Sequence, residues 1–198
     1  MTFDIWADND FRLAAFPANI PDHSINEIAK KLEKAIDDPD MSPFVAVDAE
    51  SGKVIAYSLW KYTPERSHEQ WIKERDERVN SWPGAKLDLL IPMFTEEAAR
   101  REKVMGSQRW WELDTLAVHP DSQRQGVGKS MMKWGQEEME KRNLQSVIVA
   151  TPRGSGLYTQ FGYKEIDSWG CDLRPYGGPG IYTNTLFVKF PKDPQIHA

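Results

Sequence analysis

One short segment of the chain has the residues and the spacing to bind a phosphate group. Residues 123–129 (QRQGVGK) lie between a strand-like run and a helical pattern. The first N–H groups of a helix have no carbonyl partner within it and carry the positive end of its dipole, so an anion binds there without help from side chains. Gly126 and Gly128 let the backbone approach an anion closely, and Arg124 and Lys129 add positive charge. The spacing favours a phosphate site over an ordinary loop.

The segment fits neither of two common nucleotide-binding motifs. Gly128-Lys129-Ser130 imitates the end of a P-loop, but that motif requires a glycine where this sequence has Gln123. A dinucleotide fingerprint would need its third glycine at Met131. Both motifs are therefore excluded.

The elements around this segment form a strand–loop–helix–strand unit. The sequence predicts a strand over Trp110–Val118, a turn at His119-Pro120-Asp121 and a helix over Gly126–Arg142. The apolar run Val147–Ala150 is typical of a buried strand in a parallel pair. The phosphate segment therefore lies where a strand passes into the start of a helix.

The rest of the chain predicts a mixed sheet with helices on its faces. Apolar spacing predicts a helix over Asp22–Ile36, and two strand-like runs around Ala49–Gly52 indicate a hairpin. The other predicted strands are Phe44–Asp48, Val54–Trp60, Tyr163–Gly170 and Tyr182–Phe190. Hairpins in one half and a strand–helix–strand unit in the other predict a mixed α/β fold.

Residues 62–108 are rich in charge and are predicted to be a helical insertion in a single domain over 1–198. Ile91-Pro92 is expected to interrupt the helical segment, and Thr95 is expected to cap a helix that follows. Large apolar side chains in the insertion suit either a lid over a pocket or a helix packed on the core: Trp71, Trp82, Met93 and Phe94.

Composition excludes several classes of protein. The 198 residues include 25 Lys and Arg against 30 Asp and Glu, and the net charge of −5 argues against a nucleic-acid-binding protein. The single cysteine, Cys171, forms no internal disulfide and is expected to pack. The four histidines lack metal-ligand spacing, so no metal site is expected. No apolar run approaches the roughly 20 residues that span a bilayer. Because the first residues also lack the pattern of a secretory signal, the sequence favours a cytoplasmic protein.

Three motifs together resemble the GNAT superfamily of acyl-CoA-dependent N-acyltransferases, and their spacing to Ala150-Thr151-Pro152 is similar to its fungal branch. They are Leu116-Ala117-Val118-His119-Pro120, Gln123-x-x-Gly126-x-Gly128 and Leu157-Tyr158-x-x-x-Gly162-Tyr163. The resemblance is specific over residues 110–165, fair over the hairpin at 44–60 and absent over the insertion. It implies the GNAT fold, a mostly antiparallel mixed sheet that splays apart at the cofactor site.

The resemblance also implies acetyl-CoA (coenzyme A) as the cofactor. The backbone of Leu116, Ala117 and Val118 would pair with the pantetheine amides. The phosphate groups would be held by the segment after that strand, namely Gln123, Arg124, Gln125, Gly126, Val127, Gly128, Lys129 and Ser130.

Direct attack of an amine on a thioester needs a base, donors to the oxyanion and an acid for the thiolate. The resemblance makes Tyr158 the candidate acid, although Tyr158 also suits a packed aromatic side chain like Tyr163. Glu112 and Asp114 are the candidate bases. The resemblance favours Glu112, because it lies four residues before Leu116, where histone-acetylating members of the superfamily carry a catalytic glutamate. Strict alternation along a strand would place those three residues on one face. In the alternative, one carboxylate is structural and a chain of water molecules acts as the base.

The function implied is acetyl-CoA-dependent N-acetylation of a primary amine on a small molecule or a peptide, with no nucleic-acid or membrane partner and with a homodimer left open. The net charge of −5 and the two carboxylates favour a cationic amine. The alternatives are a CoA-binding protein without activity and other acyl-CoA chemistry on the same fold. His119 is expected to serve the turn rather than catalysis.

Overall fold

The computed structural model describes residues 9–16, 21–81 and 84–192, which form one open sheet flanked by helices. The strands are β1 (Met41–Val47), β2 (Val54–Thr63), β3 (Trp110–Val118), β4 (Gln145–Ala150), β5 (Lys164–Asp172) and β6 (Ile181–Lys189). The helices are α1 (Asp10–Ala15), α2 (Pro21–Asp37), α3 (His68–Asn80), α4 (Leu87–Met105), α5 (Val127–Arg142) and α6 (Ser155–Gln160). In this part of the chain, no helix combines the length and apolar character needed to cross a membrane.

The sheet is mixed, as the sequence predicts. Its strand order is β1-β2-β3-β4-β6-β5, and only β3 and β4 run parallel. A parallel pair needs a crossover connection, which α5 provides. The predicted early hairpin is β1–β2, and the predicted late strands are β5 and β6.

Helices cover both faces of the sheet because alternate residues of its strands are apolar on each side. On one face, α1, α3 and α4 pack around Trp110 and Val147. On the other face, α5 and α6 pack around Trp111 and Ile148. The neighbouring pairs 110/111 and 147/148 thus face opposite cores, which confirms that the central strands are buried on both sides.

The charged segment after β2 folds into two helices, and one predicted boundary within it is wrong. Helix α3 begins after Ser67, whose side chain forms a capping box with Gln70. Helix α4 begins at Leu87 and runs through both Pro92 and Thr95, so Thr95 does not cap a helix. The proline removes one backbone hydrogen bond, but the apolar face that α4 buries on the sheet outweighs that loss.

The apolar side chains of these two helices belong to the core. Trp71 on α3 and Met93 and Phe94 on α4 are buried in the same cluster as Trp110. The structure therefore favours the packing alternative over the lid for these three. Trp82 lies outside the described residues.

A β-bulge at Asp114 changes the face on which later residues of β3 lie. Leu59 pairs with Thr115 while its neighbour Trp60 pairs with Leu113, so Asp114 is one extra residue in β3. Before the bulge, Glu112 points toward α4, where it contacts Arg101. After the bulge, Leu116 packs with the core beneath α5 and α6. The prediction that Glu112, Asp114 and Leu116 share one face is wrong for Leu116, because the bulge reverses the alternation.

Candidate active site

The phosphate segment, residues 123–129, lies at the start of α5 and leaves several backbone N–H groups unused. The first bond of this helix runs from the Ser130 N–H to the Gly126 carbonyl oxygen, at 3.0 Å. In the described part of the chain, the N–H groups of Val127, Gly128 and Lys129 donate to no protein acceptor, and no side chain caps the helix. An anion would supply the missing acceptors.

The backbone of this segment is held in an uncommon conformation. Gly126 has φ +87°, and Arg124 has φ +60°, which a residue with a Cβ rarely adopts. Two glutamine side chains help to hold this shape. Gln123 Nε2 donates to the Val118 carbonyl oxygen at 3.2 Å, and Gln125 Nε2 donates to that of Asp121 at 2.7 Å. Both amides therefore shape the loop.

The turn before the segment is held by His119. Its ring Nδ1 accepts from the Asp121 N–H at 3.3 Å and caps a 3₁₀ turn over Pro120–Ser122. This geometry confirms the predicted turn role of His119.

The start of α5 lies against both β3 and α6. A Cβ built on Gly128 would be 3.7 Å from Val118 Cγ2 and 3.5 Å from Leu157 Cδ2. The three sequence motifs, which are distant in the chain, therefore converge at one place. A substituent larger than a methyl group at Gly128 would displace one of these two side chains.

A gap opens between β3 and β4 beside this convergence. Their pairing ends at Leu113 and Ile148, although β3 continues beside β2 to Val118 and β4 continues beside β6 to Ala150. Among the described residues, no strand pairs with residues 114–118 of β3 on the β4 side. Such an edge can pair with an extended ligand carrying amide groups.

Tyr158 on α6 lies in the core beneath this gap. Its side chain is 7% exposed and packs against the rings of Tyr163 and Phe187. Burial raises the pKa of its phenol, so the hydroxyl stays protonated at neutral pH. Tyr163 is equally buried, but its hydroxyl bonds to Ser146 at 2.8 Å. Tyr158 thus fits both of its predicted roles, that of an acid and that of a packed ring.

Glu112 lies on the other face of β3 and is held by partners from two elements, α4 and β2. Its two oxygens each lie 2.7 Å from Arg101 Nη2, and Oε2 also accepts from the Thr63 hydroxyl at 2.9 Å. Lys61 Nζ is 3.3 Å from Oε2. Burial alone would raise the pKa of Glu112, but Arg101 and Lys61 lower it below its ordinary value. These bonds favour the structural alternative for Glu112.

Asp114, the bulge residue, is also paired with cations. Its Oδ2 is 2.6 Å from Lys31 Nζ of α2 and 2.8 Å from the Thr115 hydroxyl, and its Oδ1 is 3.8 Å from Lys61 Nζ. Burial favours the protonated acid, but the two lysines and the hydrogen bonds hold the pKa of this carboxyl well below its ordinary value. Asp114 and Glu112 are therefore both ionised and weakly basic at neutral pH.

These contacts belong to a partly buried charge cluster that no sequence pattern predicted. We define the charge cluster as Lys61, Glu74, Arg101, Glu112 and Asp114. The pKa of Glu74 is about 2, because Arg101, Lys61 and Arg66 outweigh the effect of its burial. The five residues come from β2, α3, α4 and β3, so no local spacing could reveal the cluster. Only the excess of charge in residues 62–108 hinted at it.

The described residues offer neither a nucleophilic cysteine nor a metal centre. Cys171 is half-buried, and its thiol pKa is raised by burial and by Asp172, as expected of a packed thiol rather than a nucleophile. Among the described residues, no group of three or more His, Cys, Asp or Glu side chains is placed to hold a metal ion.

Comparisons with known proteins agree with this geometry. Residues 91–165 match the model of the acetyltransferase (GNAT) domain. No curated protein matches the sequence. A mutant agmatine N-acetyltransferase in its apo form is 16% identical, with a TM-score of 0.62 over 91% of this chain and 87% of that one. A Drosophila melanogaster polyamine N-acetyltransferase is 14% identical, with a TM-score of 0.59 over 90% and 86%. Arylalkylamine N-acetyltransferase 2 from Aedes aegypti is 12% identical, with a TM-score of 0.63 over 96% and 89%.

At these identities the structural likeness describes the fold, while the domain match covers the strand–helix–strand unit and α6. The uncapped start of α5, the gap between β3 and β4 and Tyr158 all lie within that match. Residues 91–165 therefore match an acetyltransferase (GNAT) domain in sequence, and the sheet and helices have the fold of these solved N-acetyltransferases.

Proposed function

We propose that this protein is an acetyl-CoA-dependent N-acetyltransferase that modifies a primary amine on a small molecule or a peptide in the cytoplasm. The observation that carries the proposal is the uncapped start of α5 beside the gap between β3 and β4. A phosphate-bearing ligand with an extended, amide-containing arm matches both features. The domain match over residues 91–165 supports the same reaction class.

The residues present fit coenzyme A on the evidence of their own unused groups. The N–H groups of Val127, Gly128 and Lys129 would hold the phosphates, and the open edge of Leu116–Val118 would hold the amide arm. When bound, acetyl-CoA supplies an acetyl group activated as a thioester. Arg124 and Lys129 bring positive charge to the segment, which favours a phosphate ligand in an otherwise acidic protein.

Tyr158 is the proposed acid. Its raised pKa keeps a proton on the hydroxyl at neutral pH, and α6 lies against the start of α5 through Leu157. Neither Glu112 nor Asp114 suits direct abstraction of a proton, since their ion pairs lower their pKa values. We therefore propose that the amine loses its proton through water.

The ion pairs of Glu112 and Asp114 favour a second candidate, a protein that binds CoA without transferring an acetyl group. In that case the charge cluster has only a structural role. A CoA-binding protein and an enzyme differ in turnover and not in affinity for CoA, so binding alone does not separate them.

The test is release of free thiol from acetyl-CoA with a panel of primary amines, with product mass measured for each. We expect thiol release to depend on the amine and the product to gain one acetyl group. Tight CoA binding without thiol release would support the inactive alternative. Thiol release with a product of any other mass would indicate different acyl chemistry.

Tyr158→Phe tests the acid within this assay. We expect kcat to fall by about 10²- to 10⁴-fold while the affinity for CoA and the thermal unfolding midpoint change little, because only the proton donor is lost. Tyr163→Phe is the matched control, since that ring is equally buried in the same core. If Tyr158→Phe keeps the kcat of the unaltered protein, Tyr158 is a packing residue.

A further inference from the structure

A lysine of the chain pairs with the carboxylate of Asp114, the residue at which β3 and β4 separate. Asp114 is the first residue of β3 beyond the last β3–β4 pair, Leu113–Ile148. Lys31 of α2 extends to it, with its ammonium nitrogen 2.6 Å from Asp114 Oδ2. The two residues are far apart in sequence, so the contact depends on how α2 lies over the sheet. A primary ammonium group is therefore bound to the side chain of the first residue of β3 that has no partner in β4.

We propose that Asp114 is the site for the acceptor's ammonium group, and that Lys31 is an intramolecular competitor which the acceptor must displace. This inference rests on the proposed function and assigns the class of acceptor, a primary amine that arrives as a cation. A lysine side chain ends in the same ammonium group as such an acceptor. The carboxylate that binds Lys31 can therefore bind the acceptor in the same way.

The surroundings of Asp114 are suited to exchange one ammonium for another. The Lys31 side chain is 49% exposed, whereas that of Asp114 is 17% exposed. An ion pair with one exposed, flexible partner contributes little stability, so its opening costs little. Asp114 itself does not move freely, because it is bonded to Thr115 and lies in the bulge between Leu113 and Thr115. The carboxylate is fixed, and its cation is replaceable.

The second cation near Asp114 cannot leave in the same way. The Lys61 side chain is 13% exposed, and its Nζ also contacts Glu74 and Glu112. It is shared among three carboxylates and leaves Asp114 Oδ1 at 3.8 Å. When Lys31 withdraws, Asp114 therefore keeps an unbalanced negative charge, which attracts a cationic ligand rather than a neutral one.

Binding of butylamine, measured by chemical-shift titration of the labelled protein in the presence of CoA, tests this site. Butan-1-ol is the neutral probe of matched shape. We expect Lys31→Met to lower the Kd for butylamine by about two- to sixfold, since it removes the competitor. Asp114→Asn should raise that Kd at least tenfold, and neither change should alter binding of butan-1-ol. Lys34→Met, on an exposed residue of the same helix, is the control and should leave both probes unchanged.

A double-variant cycle separates competition from a general effect of charge. In the Asp114→Asn background, Lys31→Met should no longer improve butylamine binding, because the two act on one position. The proposal is overturned if Lys31→Met weakens or leaves unchanged the binding of butylamine, or if no variant binds it. Because the readout is binding, the expected pattern without thiol release would keep this site and reject the proposed enzyme. Thiol release without the expected binding pattern would support the proposed enzyme and reject this site.

Discussion

The phosphate segment and the charge cluster lie on opposite sides of β3 and differ in whether their polar groups have partners. At the start of α5, the N–H groups of Val127, Gly128 and Lys129 have no acceptor within the described chain. In the charge cluster, Arg101 and Glu112 are bonded to each other and are almost fully buried. The phosphate segment is open to a ligand, whereas Arg101 and Glu112 are already paired within the chain.

This difference shows how a functional interpretation should weigh charge. Carboxylates in a cleft suggest acid–base chemistry, yet here the more buried one, Glu112, is occupied by Arg101 and Thr63. Backbone groups attract less notice in a sequence, but unused N–H groups at a helix start need a partner. A missing partner is therefore a better guide to the ligand than the presence of charge. Altering either region by substitution tests this contrast.

The largest expected effect is the loss of stability in Arg101→Met. This change leaves the Glu112 carboxylate buried without its main partner, and we expect the free energy of unfolding to fall by about 3–5 kcal/mol. Urea unfolding monitored by circular dichroism measures the change. Lys103→Met, at an exposed position of α4, is the control and should cost well under about 1 kcal/mol.

The double variant Arg101→Met/Glu112→Leu sharpens this test. Replacing both charges by apolar side chains removes the unpaired carboxylate, so the double variant should be more stable than Arg101→Met alone. If it is less stable, Glu112 is held mainly by its other contacts, to Thr63 and Lys61, and the role given to Arg101 is wrong.

Gly126→Val should abolish most of the affinity for CoA. Gly126 has φ +87°, which valine rarely adopts, so the N–H groups at the start of α5 would shift away from the phosphate position. We expect Kd to rise about a hundredfold or more, since several charge-assisted hydrogen bonds weaken together. Calorimetric titration with CoA measures this change.

Gly52→Val is a matched control for that experiment. Gly52 lies in the β1–β2 turn with φ +66°, and a Cβ added there, like one added to Gly126, would meet no atom within 4 Å. The substitution therefore imposes similar backbone strain at a distance from α5. Equal loss of CoA affinity in both variants would mean that strain, and not the phosphate site, explains the result.

A smaller effect is expected from acid. The pKa of Glu74 is about 2 in the folded protein against an ordinary value of 4.5, so its ion pairs stabilise the fold above about pH 4.5. That stabilisation is lost as the pH falls through about 2. Allowing for partial exposure, we expect Glu74 to contribute on the order of 2 kcal/mol.

Unfolding free energies measured from pH 6 down to pH 2 test this contribution. Glu74→Gln should flatten the dependence on pH, whereas Glu77→Gln, at an exposed position of the same helix, should follow the unaltered protein. Parallel curves for Glu74→Gln and the unaltered protein would remove Glu74 from the acid response.

Local patterns predicted the sheet and the phosphate segment because both depend on neighbours in sequence. The predicted strand over Trp110–Val118 matches β3, and helical spacing after Gly126 identified α5 nearly to the residue. The predicted break at Pro92 failed for a physical reason. Proline predicts a local cost, but whether a helix bears that cost depends on the core that Leu90 and Met93 enter, which lies far away in sequence.

The charge cluster and the contact between Lys31 and Asp114 could not be predicted, because they join elements that no spacing relates. Strict alternation also predicted the wrong face for Leu116, since a bulge appears only when the partner strand is known. The roles of Tyr158, Glu112 and Asp114 came from resemblance and remain predictions.

The extra residue at Asp114 divides β3 into two halves whose side chains alternate between the two faces in opposite order. Its first half pairs with both β2 and β4, whereas its second half pairs with β2 alone. Removing one residue between Leu113 and Leu116 would abolish the bulge but leave Leu116 opposite Ser58 and on the face of its core, because only the extra residue would be lost. Removing one residue elsewhere in β3, with the bulge kept, would turn the side chains on one side of the deletion to the opposite face, so the bulge is where this strand tolerates the loss of a single residue.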